Sequence, residues 1–265
     1  MTITTVDGLV AAATQRNVPL VKTASRTSTA AGFFSVFDLA GSPGAGTLNV
    51  GNTANGLVPT DATAGYPTIN AFGGGAAGLI SRFSAYGSVP GNLLIYDRLF
   101  VCGAYAFNAN TTGQTPTSFS SRVPGGTDFT DTQIWLEQVT AGTGVQNVAV
   151  TYLDQGNVSS TTGTVAAPAA MIVGRCFQLP LAAGDTGVQG VTGVVGSVAT
   201  AGTFNILVVR PIWSGRVKIA NDGDVHDYAK TGMPIIYADS ALMMLVAPDS
   251  TATGIPELEL VIANG

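Results

Sequence analysis

The chain has 265 residues, of which 46% are hydrophobic and only 10% are charged, with a formal net charge of −5. A charged fraction of about 25% is usual for soluble domains. The 11 basic residues form no cluster, so phosphate-driven binding of nucleic acid is not expected. The length is enough for one large β domain or two smaller ones with a substantial core. Because charge is depleted at interface cores, this composition favours a protein whose surface is covered by neighbours in an assembly.

The N-terminal stretch MTITTVDGLVAAATQR predicts a short helix over 8–16, with Asp7 as its cap, because LVAAATQR is rich in alanine. Pro19 is expected to end it. Residues 20–32 (LVKTASRTSTAAG) predict an extended arm, so residues 1–32 are expected to be a helix and an arm. The stretch lacks the basic start and continuous apolar core of a secretory signal.

From residue 33 onwards the pattern is that of a β domain, expected to span 33–265. Candidate strands rich in apolar and β-branched residues are bounded by Gly, Pro, Asn and Asp clusters. They are 33–40, 93–107, 132–140, 145–153, 169–181, 188–198, 203–213, 234–247 and 257–263. The clearest predicted hairpin is IWLEQVT-AGTG-VQNVAVTY, where alternate residues share a face. An antiparallel β-sandwich, jelly-roll-like in form, is the simplest fold that buries so many strands.

The segment 41–92 interrupts this pattern, because GSPGAGTLNVGNTANG and INAFGGGAAG are rich in Gly, Ala and Thr and carry few strand signals. We expect a long irregular Gly-rich segment, which either wanders over a neighbouring subunit or folds as elaborated loops. No second helical pattern of convincing length follows residue 20, which excludes a βαβ sheet.

Two uncharged stretches, 99–121 and 187–209, are long enough to be tested as membrane spans. The first contains NANTTGQTPTSFSS, and the second interrupts its valines with Gly, Thr, Gln and Asn. Neither is the apolar block of about 20 residues that a spanning helix needs, so no membrane association is expected. The two cysteines, Cys102 and Cys176, lie in apolar runs and predict two inert buried thiols, with a buried disulfide as the alternative.

The search for catalytic chemistry yields one dense polar cluster. His226 is the single histidine, so an H-E-x-x-H motif is impossible, and no G-x-S-x-G elbow, paired zinc-type cysteines or Walker A loop is present. The stretch NDGDVHD holds Asp222, Asp224, His226 and Asp227. These side chains suit a calcium ion, or a transition metal together with His226. Asn-Asp-Gly is equally typical of a solvated turn, which is the interpretation we favour.

The pair Asp97-Arg98, inside LLIYDRLFVCGAYAF, has two interpretations. One is a general acid with an anion clamp; the favoured one is ion pairing at a sheet edge or subunit contact, with the two side chains on opposite faces. Trp135 and Trp213 predict core or interface packing, with sugar stacking as the alternative.

Arg175 and Arg210, each within an apolar run, predict pairing with a carboxylate or a bridge to a partner. Taken together, these candidates do not indicate an enzyme. No catalytic, cofactor-binding or metal-binding residue is therefore assigned from the sequence.

Several sequence segments resemble those of structural proteins of tailed-bacteriophage virions and prophage modules. They are GSPGAG at 41–46, LLIYDRL at 93–99, IWLEQVTAGTGVQNVAVTYLDQGN at 134–157, LPLAAGDTGVQGVTGV at 179–194, AGTFNILVVRP at 201–211 and LMMLVAPDSTATGIPELELVIANG at 242–265. The resemblance spans most of the chain after residue 30. It rests on the general character and the order of these segments.

This resemblance implies a capsid-associated decoration or cement protein, β-rich and non-catalytic, without cofactors. Such a protein would be a homotrimer bound to the major capsid protein on the capsid exterior, assembled in the host bacterial cytoplasm. The predicted arm would reach across a subunit seam. The alternatives are a tail, baseplate or fibre component, and a carbohydrate-binding adhesion module, which predicts that Trp135 or Trp213 is exposed on a concave face. A hydrolase is a more distant alternative.

Overall fold

The structure is a computed structural model that describes residues 5–12, 16–72, 77–108, 110–112, 118–169, 171–197 and 201–264. It is mainly antiparallel β with a short N-terminal helix, as predicted. The helices are α1 (Val6–Ala12) and α2 (Tyr228–Thr231). Among the described residues, no helix is long and apolar enough to cross a membrane.

The strands are numbered in chain order. They are β1 (Arg16–Lys22), β2 (Phe33–Ser35), β3 (Gly41–Ser42), β4 (Asn52–Leu57), β5 (Ala77–Gly87), β6 (Gly91–Ala106), β7 (Asn110–Thr112), β8 (Gln133–Thr140), β9 (Gln146–Asp154), β10 (Ser159–Thr161), β11 (Val165–Ala167), β12 (Arg175–Leu179), β13 (Val188–Gly196), β14 (Thr203–Val217), β15 (Asp222–His226), β16 (Ile235–Tyr237), β17 (Leu242–Pro248) and β18 (Pro256–Asn264). Short 3-10 turns cover Ser120–Arg122 and Pro124–Gly126.

Six strands close into a ring, called the central ring below. Its order is β14-β8-β12-β2-β17-β6, and a further pairing of β6 with β14 closes it. The 16 residues of β6 and the 15 of β14 pair along almost their whole length. Alternate side chains of the ring strands point inwards, where Tyr96, Trp135 and Met243 belong to one buried cluster.

Two further sheets cover the outside of the central ring. The terminal sheet has the order β15-β5-β18-β1-β3, with β16 also on β5, and its Phe83 packs in one cluster with Ile95 of the ring. The mid-chain sheet has the order β10-β9-β13-β7, with β11 also on β9, and its Val150 packs in one cluster with Leu136 of the ring. The face-to-face packing of sheets that a sandwich predicts is therefore confirmed. The closed ring, against which both outer sheets pack, was not predicted.

The predicted hairpin between 132–140 and 145–153 is wrong, although both strands exist. β8 pairs with β14 and β12 in the central ring, while β9 pairs with β10, β11 and β13 in the mid-chain sheet. The intervening AGTGV crosses between two layers instead of turning back within one. Period-two alternation shows that a stretch is a strand with one buried face, but it does not identify the partner strand.

The predicted helix over 8–16 is found as α1, which begins at Val6, so that Asp7 lies in its first turn and is not its cap; residues 13–15 lie outside the described residues. At Arg16 the helix prediction is wrong, because β1 begins there, pairs with β18 and buries Val18 and Leu20. Tertiary pairing thus overrides the alanine-rich propensity.

The predicted arm, 20–32, lies against its own chain. Thr27 bridges Ala252, and the Ser28 N–H donates to Thr251 O at 2.8 Å.

Several further element predictions need correction. Of the predicted strand 33–40 only Phe33–Ser35 (β2) is a strand, and among the described residues of 169–181 only Arg175–Leu179 (β12). The segment 41–92, expected to be irregular, contains β3, β4 and the eleven-residue β5, which is hydrogen-bonded to β18 and β15. The predicted strand 234–247 is two strands, β16 and β17, in different sheets. The strand conformation is interrupted between them at Ser240 and Ala241, whose hydroxyl and backbone N–H, respectively, donate hydrogen bonds to Asp97. Residues 170 and 198, inside two predicted strands, lie outside the described residues.

Candidate functional site

Asp97 is fully buried on β6 and holds several elements together. Its carboxylate accepts hydrogen bonds from Ser240 Oγ at 2.8 Å and from the backbone N–H of Ala241 at 3.0 Å. Arg122 Nη1 and Arg210 Nη2 each lie 3.6 Å from a carboxylate oxygen. The negative charge is thus compensated by two cations within the same chain.

Arg98 points the other way, into the central ring. Its Nη2 lies 2.5 Å from Glu137 Oε2, its Nη1 donates to Tyr66 Oη at 3.2 Å, and its guanidinium lies 5.3 Å from the Phe37 ring. Asn205 Nδ2 donates to the same Glu137 oxygen at 3.1 Å. Burial lowers the pKa of Arg98, but Glu137 and Tyr66 outweigh burial and raise that pKa above its ordinary value. Burial also raises the pKa of Tyr66.

The two neighbours therefore lie on opposite faces of β6, as predicted. Their expected place at a sheet edge or subunit contact is wrong, because β6 is flanked by β14 on one side and by β17 and β4 on the other. Both side chains are at most 1% exposed. A general acid needs access to a substrate, which the burial of Asp97 denies.

Arg122 is a buried cation that was not predicted from the sequence. Its Nη1 donates to Pro59 O at 2.7 Å and to Asp239 O at 2.9 Å, and its Nη2 donates to Arg98 O at 2.7 Å. It is 0% exposed. An arginine in the polar stretch SFSSRVPGG gives no sequence signal of such a role.

Arg175 and Arg210 were each predicted to pair with a carboxylate or to bridge to a partner, and one of them pairs with a carboxylate. Arg210 approaches Asp97, as described above. Arg175 instead donates from Nη1 to Thr29 Oγ1 at 2.6 Å and lies 5.1 Å from the Phe34 ring.

Both tryptophans are buried, with Trp135 3% and Trp213 9% exposed. Trp135 meets the Phe33 ring edge-on inside the central ring at 5.3 Å, and Trp213 stacks on Phe83 at 4.7 Å beneath the terminal sheet. The carbohydrate-binding alternative required one of them on a concave surface, and neither lies on one.

The polar cluster around His226 is a hydrogen-bonded strand end. His226 Nδ1 accepts from Trp213 Nε1 at 3.0 Å, so Nε2 carries the proton and donates to Asp224 Oδ2 at 2.8 Å. That bond from His226 is the main cause that lowers the pKa of Asp224. Asp227 caps α2, and Asp222 accepts from the next backbone N–H. In the part of the chain that the structure describes, no three His, Cys, Asp or Glu side chains could hold a metal ion together.

Cys102 and Cys176 are free and 0% exposed. Cys102 packs under the mid-chain sheet, whereas Cys176 belongs to the cluster inside the ring, so the disulfide alternative is wrong. Burial raises the pKa of the Cys102 thiol to about 12 and raises that of Cys176 well above its ordinary value. Both thiols therefore stay neutral at physiological pH.

A cavity of about 260 Å³ opens beside the central ring. Its lining contains no carboxylate and no imidazole, and its one charged residue, Arg98, is already bonded to Glu137. The residues around it are Phe37, Thr47, Asn49, Val50, Leu57, Pro59, Thr63, Ala64, Tyr66, Arg98 and Val101.

The outer face of the mid-chain sheet carries no charged side chain in the described residues. Along β9, buried residues that face the ring alternate with partly exposed residues that face outwards. The outward-facing residues of this neutral face are Asn147, Ala149, Thr151 and Leu153 on β9, Ser159 and Thr161 on β10, Ala166 on β11, and Thr192 and Val195 on β13. The adjoining turns expose Val145 (61%) and Val158 (62%). The neutral face is the candidate site.

Charge is scarce throughout this part of the chain. Residues 138–209 include only three charged side chains, Asp154, Arg175 and Asp185. Asp154 is buried and accepts from backbone N–H groups of its own turn, and Asp185 accepts from the Tyr152 hydroxyl at 2.6 Å. The outer face of the terminal sheet differs, because it presents Arg82, Glu257 and Glu259.

Comparison with known proteins gives no relative from which a function could be carried over. No protein family matches the sequence, and no curated protein matches it. Among solved structures, the chain is similar to the D431N mutant VP2 protein of infectious bursal disease virus, in derived T=1 particles. The identity is 10%, the similarity covers 94% of this chain and 77% of that chain, and the TM-score is 0.18. A TM-score this low does not establish a shared fold.

Proposed function

We propose that this chain is a structural protein of a bacteriophage virion that binds and stabilises the capsid shell as a decoration or cement protein, without a catalytic role. The neutral face is the observation that carries the proposal. A surface that stays in water has no reason to exclude charge, whereas the cores of protein–protein interfaces are depleted of it. The major capsid protein, the capsid exterior and a homotrimeric state, all implied by the resemblance, belong to the same proposal.

The distribution of charge within the chain supports this role. Seven of the 27 charged residues are buried, and they are Lys22, Asp97, Arg98, Arg122, Glu137, Asp154 and Arg210. Those near Asp97 and Arg98 connect the ring to the loops around it, as a rigid structural body requires.

The structure argues against one of the two alternatives. A carbohydrate-binding module loses its two aromatic candidates, since Trp135 and Trp213 are buried. A tail, baseplate or fibre component would share the composition. Its binding partner is what distinguishes it from a capsid protein.

Co-sedimentation with capsids that lack this protein tests the proposal. Purified protein is incubated with such shells and pelleted at about 0.05 M and about 0.5 M salt. We expect saturable pelleting at both concentrations, because a contact between uncharged surfaces is little affected by ionic screening. Shells already saturated with the protein are the control and should take up none. Protein that stays in the supernatant at every salt concentration would contradict the proposal.

A further inference from the structure

We infer that the neutral face is covered by the neutral face or adjoining uncharged turns of a second copy of this chain. This inference rests on the proposed function, because it names the partner of the same surface. It concerns contact between copies, which need not depend on contact with the shell.

The strands of the neutral face supply most of the area that a specific contact needs. β9 and β13 have nine residues each, and β7, β10 and β11 have three residues each, which makes 27 residues. At about 3.3 Å per residue and about 4.8 Å per strand they cover about 430 Å². Two copies would bury about 860 Å² between their strands, so the adjoining turns must contribute to the contact for it to reach about 1,200 Å², the lower end of the range for stable interfaces.

The chemistry of the face selects the partner. About a quarter of the residues of an average domain are charged, so most protein surfaces of this size would bring charges to the contact. Buried there without a counter-charge, each would cost several kcal/mol. A second copy brings a surface free of charge at its own neutral face. The outer face of the terminal sheet is excluded as that surface, since Arg82, Glu257 and Glu259 lie on it.

Sedimentation velocity of the full chain tests the inference with charges of both signs. Thr151→Arg and Thr151→Glu each place a charge near the middle of the face, where the partly exposed side chain points away from the core. We expect the unmodified chain to sediment as an oligomer and both variants to associate at least tenfold more weakly. Asn17→Arg, on an exposed position of β1 in the terminal sheet, is the matched control and should behave as the unmodified chain.

Three results would overturn the inference. They are an unmodified chain that is monomeric at all concentrations up to about 100 µM, well above the Kd expected of a standard-size interface, equal association by all four proteins, or stronger association by one of the two charged variants. Ala149→Glu gives a second reading if a Thr151 variant fails to fold, as judged by its circular dichroism spectrum. A chain that associates with itself but never pellets with shells contradicts the proposed function alone. A monomer that pellets with shells contradicts this inference and the homotrimeric state, and leaves the binding to the shell standing.

Discussion

At the scale of single residues, the clearest feature is that Asp97 and Arg98 belong to two separate buried networks. Asp97 faces Arg122 and Arg210, and Arg98 faces Glu137. Removing one partner of a buried ion pair leaves an uncompensated charge. This lowers the free energy of unfolding much more than the loss of an exposed pair does. The stability of the molecule should therefore depend on these residues far more than on its surface charges.

Asp97→Asn tests this dependence. The substitution keeps the size of the side chain but leaves Arg122 and Arg210 without their carboxylate, so we expect a loss of about 3–5 kcal/mol in the free energy of unfolding. Urea denaturation at neutral pH measures it.

Asp249→Asn is the matched control. Asp249 pairs with Arg216 at 2.6 Å, and both side chains are more than 40% exposed. We expect a loss below about 1 kcal/mol. Losses of equal size in the two variants would show that the Asp97 network contributes no more than a surface pair.

Cys102 makes stability depend on pH in the alkaline range. Its pKa is about 12 in the folded chain, against an ordinary value of 9.0, so the folded thiol keeps its proton where the unfolded thiol loses it. The resulting stabilisation is fully present below about pH 9 and is lost as the pH rises towards about 12. Between about pH 9 and about pH 12, the unfolding free energy of the Cys102→Ala variant should fall less steeply than that of the unmodified chain. The difference in slope should be about 1.4 kcal/mol per pH unit. Urea denaturation between pH 8 and 11, with a reducing agent present, compares the two slopes, and identical slopes would refute the expectation.

At the scale of elements, most strands could be predicted because apolar and β-branched runs end at turn residues. The predicted 145–153, 188–198 and 203–213 are found as β9, β13 and the first part of β14. β5 was missed, because AGLISRFSAYG contains a single β-branched residue, Ile80. Its strand conformation comes from pairing with β18, a contact distant in sequence that local propensity does not encode.

Substitution of Gly56 and of Gly232 distinguishes the cost of a left-handed backbone from the cost of steric crowding. Gly56 in β4 has φ 62°, and a Cβ there would lie 2.2 Å from the Phe100 ring; Gly232 after α2 has φ 67° and open space around it. Gly232→Ala should cost about 1 kcal/mol for the left-handed backbone alone. Gly56→Ala should cost about 1–3 kcal/mol more, because the Phe100 ring must move. Thermal and urea unfolding of both variants give the comparison, and equal costs would show that β4 shifts without penalty.

At the scale of the whole molecule, the candidate site was partly visible in the sequence. The scarcity of charge between residues 138 and 209 can be read directly. That Thr151, Ala166 and Val195 share one outward face could not be read, since β11 and β13 reach β9 only through the order of strands in the sheet. The buried partners Asp97 and Arg210 likewise lie 113 positions apart and meet only when the ring closes.

The central claim is that the neutral face is covered when the protein assembles. Hydroxyl-radical footprinting of protein diluted until it is monomeric, and of shell-bound protein, read by mass spectrometry, measures the exposure of individual side chains. We expect oxidation of Val145, Val158 and Val195 to fall severalfold on the shell, while that of Ile219, 65% exposed beyond β14 and away from this sheet, stays unchanged. Unchanged oxidation at the three valines, with protection at Ile219 instead, would contradict the claim.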